Sequence, residues 1–149
     1  MNKLTISIGS DHRGFRLKAD IISRLSDMGH KCVDCGSHGE NSCDAGDFAQ
    51  KVVANIKEYP EHIGILICGS GQAMAMTANR YRHIRAALCV NSTMAKMARQ
   101  HNDANVLVLG AHMIGQEVAM DCIDAFLNTE FLGGRYAQRC AKLEEIGGL

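Results

Sequence analysis

Hydrophobic residues are concentrated in five short apolar segments, separated by longer stretches with helical periodicity. The clearest segment contains Ile63, Ile65, Leu66 and Ile67, has no alternating polar positions and ends at Cys68. Such a run is typical of a strand that is covered on both faces, as in a parallel sheet. Further strands are predicted at Leu4–Ile8, Lys31–Cys35, Ile84–Val90 and Val106–Leu109.

Between several of these strands, apolar residues recur at steps of three and four, which predicts amphipathic helices. Small unbranched residues after Gly71 and the N-cap residues Asn91-Ser92-Thr93 predict two further helices. The predicted helices are Phe15–Met28, Asp47–Tyr59, Gln72–Asn79, Met94–Gln100, Gly115–Asn128 and Arg135–Ile146. Strands that alternate with helices, without a hairpin signal, indicate an α/β fold. We predict one domain over residues 1–149: a three-layer, doubly wound, Rossmann-like sheet of five mostly parallel strands with an extra C-terminal helix.

Composition limits the partners that this chain can have. Its 149 residues are 46% hydrophobic, and 16 basic residues balance 16 acidic ones. No overall field therefore attracts nucleic acid or anionic membrane, and any anion site must be local. No apolar run approaches a membrane span, and the start of the chain is unlike a signal peptide, so we expect a cytoplasmic protein.

The seven cysteines favour free thiols in a reducing compartment, because an odd number does not suit a disulfide framework. Cys32 and Cys35 have the spacing of a zinc or redox pair, but residues three apart on a strand point to opposite faces. No second close pair accompanies them. We therefore predict core or edge cysteines at these positions and no metal site.

Candidate chemistry begins at Cys68, which is followed by Gly69, Ser70 and Gly71 and then by a predicted helix. Strand, glycine loop and helix form the layout in which backbone N–H groups converge on an anion or a thiolate. The loop matches neither a dinucleotide fingerprint nor a P-loop. From spacing alone, Cys68 is either a reactive thiol or a buried structural one.

Other polar residues follow the predicted strands at the edge of the sheet where ligands bind in this fold class. They are Asp11 and His12, the loop over residues 36–46, and the Gly110–His112 turn. His101 and Asn102 instead precede the last strand, at its opposite end. A single subunit therefore has difficulty placing His101 beside Cys68, which suggests an active site shared across a dimer.

Arg135 and Arg139 lie one helical turn apart at the start of the last helix. Two guanidinium groups on one face can hold a phosphate dianion through charge-assisted hydrogen bonds. The alternative is a solvated basic patch, which is common for arginines in isolation. The thiol, the histidines and the glycine loop in the same short chain favour the phosphate interpretation.

Four segments carry a resemblance to a known family: Gly9-Ser10-Asp11-His12, Cys68-Gly69-Ser70-Gly71, Arg99-Gln100-His101-Asn102-Asp103-Ala104-Asn105, and Gly133-Gly134-Arg135 with Arg139. In order and spacing they resemble type B ribose-5-phosphate isomerases, a family that also includes allose- and galactose-6-phosphate isomerases. The resemblance covers nearly the whole chain. It implies an aldose–ketose isomerase that uses no metal or cofactor, acts on a phosphorylated sugar and forms a homodimer or tetramer.

The resemblance also implies roles for individual residues. Cys68 would be the base that moves a proton between adjacent carbons, and the amides of Gly69, Ser70, Gly71, Gln72 and Ala73, with the Ser70 hydroxyl, would stabilise a cis-enediolate. His101 would open the sugar ring, since an imidazole suits proton transfer near neutral pH. Asp11 and Asn102 would hold sugar hydroxyls or the ring oxygen, and His12, Arg135 and Arg139 would hold the phosphate.

Three positions depart from the usual family pattern. Ala73 replaces a common glycine, which would cost on the order of 1 kcal/mol if the position needs positive φ. Asp44-Ala45-Gly46 lacks a substrate-facing aromatic residue at Ala45, and His112 stands where many members have a phosphate-binding arginine.

These departures leave the proton-transfer residues intact, but they do not determine which phosphorylated sugar is the substrate. Ribose 5-phosphate is the first expectation for the substrate. The same chemistry on a tetrose or hexose phosphate and a phosphosugar-binding module without turnover are the alternatives.

Overall fold

The computed structural model describes residues 2–149. Its strands are β1 (Thr5–Ser10), β2 (Lys31–Asp34), β3 (Ile63–Cys68), β4 (Ala86–Leu88) and β5 (Val106–Gly110). Its helices are α1 (Phe15–Asp27), α2 (Ala45–Glu58), α3 (Gln72–Ala78), α4 (Ser92–Asn102), α5 (Gln116–Leu127) and α6 (Arg135–Glu145). The predicted α/β alternation is confirmed, and most element boundaries differ from the prediction by one or two residues.

The sheet has the strand order β2-β1-β3-β5-β4, and all four strand pairs are parallel. Cys68 is in register with Gly110 on β5, and Ile67 is in register with Ser10 on β1. The chain moves outward from β1 to β2 and then returns to β3 on the other side of β1. The loops that follow β1 and β3 therefore lie side by side at the point where the winding reverses, which is where such sheets bind ligands.

Two apolar clusters cover the faces of the sheet. One joins β1, β3 and β5 to α1, α4 and α5 through residues such as Ile65, Leu107 and Ile123. The other joins the alternate side chains of β3 and β5, including Leu66, Cys68 and Val108, to α2 and α3. Because side chains alternate along a strand, this burial on both faces explains the uninterrupted apolar runs.

The fourth strand is shorter than the predicted Ile84–Val90, since only Ala86–Leu88 pair with β5. As the last strand of the sheet, β4 has a neighbour on one side only, and the residues directly before and after it are irregular. Helix α4 begins two residues earlier than predicted, directly after Asn91, whose side chain accepts a hydrogen bond from Met94 N–H (2.9 Å) and caps it. No helix within residues 2–149 has the length and apolarity needed to cross a membrane.

Candidate active site

Three loops meet at the carboxyl edge of the sheet: those that follow β1, β3 and β5. Asp11 N–H donates to the carbonyl of Ile67 (3.2 Å), Ala111 N–H to that of Cys68 (2.8 Å), and His112 N–H to that of Gly69 (2.9 Å). These backbone bonds fix the loops against one another. Asp11, Cys68 and His112, which lie far apart in sequence, therefore belong to one surface.

Cys68 is 4% exposed and lies at the end of β3, on the sheet face that packs against α2 and α3. Its Sγ accepts a hydrogen bond from Gly71 N–H (3.1 Å), which stabilises negative charge on the sulfur. Gly71 makes this turn with φ of +82°, a conformation that glycine adopts without strain. The local sequence thus produces a dry thiol held by a backbone donor.

The amides around this loop divide into two groups. Gly71 N–H donates to Cys68 Sγ, and Gln72 N–H donates to Ser70 Oγ (3.3 Å). Among residues 2–149, no acceptor is found for the N–H groups of Gly69, Ser70 and Ala73. Of the five amides from Gly69 to Ala73 that the resemblance implies as donors, these three have no acceptor within residues 2–149.

Ala73 lies in the first turn of α3 and is absent from the described residues with positive φ. Position 73 therefore does not need positive φ, and the methyl group of Ala73 causes no backbone strain. Ala45, the other small residue of interest, is the first residue of α2 and is half-buried against its apolar cluster.

Asp11 is 7% exposed, and its Oδ1 accepts hydrogen bonds from the N–H groups of Arg13 (2.9 Å) and Gly14 (3.1 Å). One carboxylate oxygen therefore shapes the turn after β1. Within residues 2–149, Oδ2 has no hydrogen-bond donor, which leaves it available to a ligand.

His12 lies next to Asp11 and contacts the loop that precedes α2. Its Nδ1 accepts a hydrogen bond from Cys43 N–H (3.3 Å), so a neutral imidazole carries its proton on Nε2. The loop is itself held to β1, because Ser10 N–H donates to the Gly36 carbonyl and Ser37 N–H to the Ser10 carbonyl, both at 2.8 Å. Nε2–H of His12 can therefore donate a hydrogen bond to an anion.

A second cluster forms where the end of α4 meets the start of α6. The His101 ring stacks on Tyr136, with 4.6 Å between ring centroids and 15° between planes. The guanidinium groups of Arg135 and Arg139 lie over the same Tyr136 ring, at 5.2 Å and 5.7 Å from its centroid. An imidazole and two guanidinium groups therefore share one aromatic platform, with exposed Asn102 beside His101 in sequence.

The structure does not bring this second cluster to Cys68 within one chain. Helix α4 begins at the carboxyl edge of the sheet, and its 11 residues rise about 16 Å before the chain enters β5 at the opposite edge. Cys68, Asp11, His12, the glycine loop and His112 form one set. His101, Asn102, Arg135 and Arg139 form the other.

Two residues of these clusters were not singled out from the sequence. Tyr136 supplies the platform of the second cluster, and its position between the two arginines was the available signal. Arg13 lies over Gly69, where its Cδ and Nη1 are 3.0 Å and 3.4 Å from the point that a Cβ on Gly69 would occupy. Its only sequence signal was that it follows Asp11 and His12.

The cysteine pair near β2 does not form part of either cluster. Burial raises the pKa of both Cys32 and Cys35, and Cys35 Sγ accepts a hydrogen bond from the Asn55 amide (3.3 Å). All seven cysteines are free thiols. Within residues 2–149, no three His, Cys, Asp or Glu side chains are grouped as metal ligands.

A cavity of about 440 Å³ lies away from Cys68, at the free edge of the sheet. The C-terminal tail closes it, because Leu149 N–H donates to the Arg80 carbonyl (2.9 Å) and Arg82 N–H donates to the Leu149 carbonyl (3.0 Å). Its lining includes Asn102 but no residue of the Cys68 cluster. This cavity is therefore separate from the Cys68 cluster.

Comparison with known proteins places this geometry in a family. The Ribose/Galactose Isomerase family model matches residues 6–143. A Rickettsia bellii protein, named provisionally as a sugar phosphate isomerase, is 48% identical over 144 residues, which cover 97% of this chain and 100% of that protein. The ribose-5-phosphate isomerase B of Escherichia coli is 36% identical, with 95% of each chain covered.

Solved structures agree with these relatives. The ribose 5-phosphate isomerase of Thermotoga maritima superposes with a TM-score of 0.95 at 45% identity, covering 97% of this chain and 100% of that one. The ribose-5-phosphate isomerase B of Mycoplasma genitalium, solved with bound ribulose-5-phosphate, gives a TM-score of 0.92 at 35% identity with 97% of each chain covered. The chain therefore belongs to the ribose/galactose isomerase family, a family of aldose–ketose isomerases.

Proposed function

We propose that this protein interconverts ribose 5-phosphate and ribulose 5-phosphate through a cis-enediolate, with Cys68 as the base. The observation that carries the proposal is the thiol of Cys68, which accepts the Gly71 N–H in a glycine loop whose neighbouring amides are free. The named relatives in Escherichia coli and Thermotoga maritima, both ribose-5-phosphate isomerases, support this choice of sugar. One domain over residues 1–149 would carry the activity.

In this reaction the Cys68 thiolate removes the proton from carbon 2 of the open-chain aldose and returns it to carbon 1. The hydroxyl proton moves from oxygen 2 to oxygen 1, so the substrate and product differ only in the positions of hydrogen and of one double bond. The hydrogen bond from Gly71 N–H stabilises the thiolate before the transfer. The burial of the sulfur keeps water away from it.

The enediolate oxygen is the group that needs stabilisation as charge develops. The N–H groups of Gly69, Ser70 and Ala73 have no other acceptor among residues 2–149, so they can donate to it without prior rearrangement. Ser70 Oγ, which accepts Gln72 N–H, has a hydroxyl proton that can point toward the same oxygen. We assign the oxyanion site to these three amides and the Ser70 hydroxyl.

Substrate positioning would require both clusters. Asp11 Oδ2 and Asn102 would hold sugar hydroxyls, and His101, stacked on Tyr136, would open the ring by proton transfer. His12 Nε2–H, Arg135 and Arg139 would hold the phosphate. We propose that the second cluster comes from another copy of the chain, since α4 carries His101 toward the edge of the sheet opposite Cys68.

A homodimer with two shared sites is the smallest assembly that meets this requirement, and a tetramer would be a pair of such dimers. The exposed methionines Met76, Met94, Met97 and Met113 lie on α3, α4 and the turn after β5, which is the side of the chain that such a partner would cover. The seven free thiols support a reducing compartment and hence the cytoplasm.

Two alternatives remain for the same crevice. His112 and Ala45 stand where larger or more basic residues are common in the family, which leaves room for a tetrose or hexose phosphate. A phosphosugar-binding module without turnover would keep the phosphate contacts and would not use the Cys68 thiol.

The test offers the protein four-, five- and six-carbon aldose phosphates in heavy water. We expect ketose formation and incorporation of deuterium, fastest with ribose 5-phosphate. Removing the base in Cys68→Ala should lower kcat by a factor on the order of 100 or more. The matched control is Cys32→Ala, which removes a half-buried thiol at the start of β2 and should leave turnover unchanged.

The outcomes separate the three possibilities. Faster turnover of another chain length would change the sugar but not the chemistry. Binding without exchange would identify a binding module. Undiminished exchange in Cys68→Ala would remove Cys68 from the mechanism.

A further inference from the structure

We propose that Arg13 is a substrate-binding residue whose guanidinium, beside His112, holds the phosphate of the sugar. Arg13 and Cys68 of the same chain would contribute to the same site. The inference rests on the proposed function and deepens it by adding a phosphate ligand to that site. Its basis is the position of the Arg13 side chain over Gly69, the residue that follows the thiol.

Arg13 is held over the thiol loop by its own backbone. Its N–H donates to Asp11 Oδ1 (2.9 Å), and the next residue, Gly14, packs so closely on β3 that a Cβ there would lie 2.7 Å from the Ile67 carbonyl oxygen. The turn after β1 therefore has little freedom. The Arg13 side chain extends from this turn to Gly69, at the carboxyl end of β3.

Two side chains that can carry positive charge meet at Gly69. The point that a Gly69 Cβ would occupy lies 3.4 Å from Arg13 Nη1 and also 3.4 Å from His112 Nδ1. A guanidinium and an imidazole therefore approach the same point from two different loops, and together they suit a phosphate.

The guanidinium of Arg13 is also uncommitted. Arg16, Arg24, Arg85 and Arg99 each form an ion pair with a carboxylate. Arg13 forms no ion pair and no side-chain hydrogen bond with any residue from 2 to 149. Its charge is therefore available to a ligand, and no carboxylate has to be displaced first.

Charge chemistry explains why the site would need Arg13. An imidazole carries a full positive charge only when it is protonated, so His112 alone is a weaker phosphate ligand than an arginine. A guanidinium is always charged and offers two parallel N–H donors to phosphate oxygens. Arg13 supplies this group from the neighbouring loop.

The experiment measures steady-state kinetics with ribose 5-phosphate for the wild type and four variants. Arg13→Ala should raise KM about tenfold or more with kcat nearly unchanged, because the lost contact binds a part of the substrate that does not react. Arg13→Lys should have a KM between those of the wild type and Arg13→Ala, since lysine keeps the positive charge but loses the two parallel N–H donors of the guanidinium. The matched control is Arg24→Ala, which removes the same charge at the other end of α1 and should leave KM unchanged.

The fourth variant, Arg13→Ala/His112→Arg, moves the guanidinium to the other side of Gly69. Recovery of KM would show that both positions serve the same anionic group. An equal KM in wild type and Arg13→Ala would overturn the inference, as would a fall in kcat with KM unchanged, which would indicate a role in the reaction rather than in phosphate binding.

Calorimetric titration with inorganic phosphate separates this inference from the proposed function. Weaker phosphate binding by Arg13→Ala supports the phosphate role of Arg13 even if the wild type turns over none of the sugars. Equal phosphate binding by wild type and Arg13→Ala contradicts it even if the wild type is an efficient isomerase.

Discussion

Gly71 is the residue on which the geometry of the thiol loop depends most directly. It combines a φ of +82° with the N–H donor to Cys68 Sγ, and a Cβ on it would lie 2.5 Å from Leu88 Cδ1. Gly71→Ala should therefore destabilise the fold by about 2 kcal/mol or more, from backbone strain and overpacking together. Because the same change moves the donor away from the sulfur, turnover should also fall. Urea unfolding and steady-state kinetics measure the two effects separately.

Gly115→Ala is the control for this prediction. Gly115 has a φ of −78°, and no atom lies within 4 Å of the position that its Cβ would take. An alanine at this helix N-cap should lower the unfolding free energy by less than about 1 kcal/mol, since it weakens the cap but strains nothing. Equal losses in the two variants would show that neither the φ of Gly71 nor its packing matters.

The sequence identified site residues where their chemistry is local and missed them where it depends on packing. Cys68 and Gly71 could be found because strand, loop and helix follow one another directly along the chain. Tyr136 acquires its role only when α6 packs on α4, and Arg13 only when β1 and β3 become neighbours. Neither contact leaves a periodic or spacing signal in the sequence.

At the scale of elements, apolar runs, helical periodicity, helix propensity and N-cap residues together predicted every strand and helix. Their ends were less predictable because long-range contacts set them. Helix α4, for example, ends at Asn102, and the next residue, Asp103, has a φ of 47° and forms ion pairs with both Arg85 and Arg99. Arg85 lies 18 residues before Asp103, outside the helix, so periodicity alone could not show that His101 and Asn102 would still be helical.

The ion pair between α1 and β2 is the element contact with the largest predicted effect on stability. Lys18 is buried, and its Nζ lies 2.6 Å from Oδ1 of Asp34, which is 39% exposed. Asp34→Asn would leave the Lys18 cation buried without its counter-charge and should cost about 2–3 kcal/mol, near the lower end for buried pairs because Asp34 is partly solvated. Urea unfolding measures this loss.

The double variant Lys18→Met/Asp34→Asn should recover part of the lost stability, because it leaves no unpaired charge. Arg16→Ala, which breaks the exposed pair with Glu40, is the control and should have a much smaller effect. A loss in the double variant as large as in Asp34→Asn would show that the buried charge is not the cause.

The pH dependence of the same pair has a definite sign. Burial opposes the ionisation of Asp34, but hydrogen bonds from Lys18 and from Gly36 N–H outweigh it and lower the pKa of Asp34 in the folded protein. The stability that the carboxylate contributes is therefore present above its unfolded pKa of about 4 and is lost as the pH falls through the lower folded pKa. The difference in unfolding free energy between wild type and Asp34→Asn should shrink in that acidic range.

At the scale of the whole molecule, the sheet order explains why the functional residues form two groups. The loops after β1, β3 and β5 come together because these strands are neighbours, whereas α4 carries His101 to the other end of the sheet. The alternation of elements predicted the fold class but not the strand order. The order depends on which strands pair, and that pairing is a property of the folded sheet.

If each active site combines Cys68 of one copy with His101 of another, two inactive variants should restore activity when their chains are mixed. Cys68→Ala and His101→Ala, unfolded and refolded together in equal amounts, would form mixed dimers in which one site carries both lesions and the other carries none. Random pairing should therefore return about a quarter of wild-type activity, whereas each variant refolded alone stays inactive. Steady-state assays after refolding measure this recovery, and mass measurement of the native assembly checks that mixed dimers formed. Mixed dimers without recovered activity would mean that both residues act within one chain or that one of them has no part in the reaction.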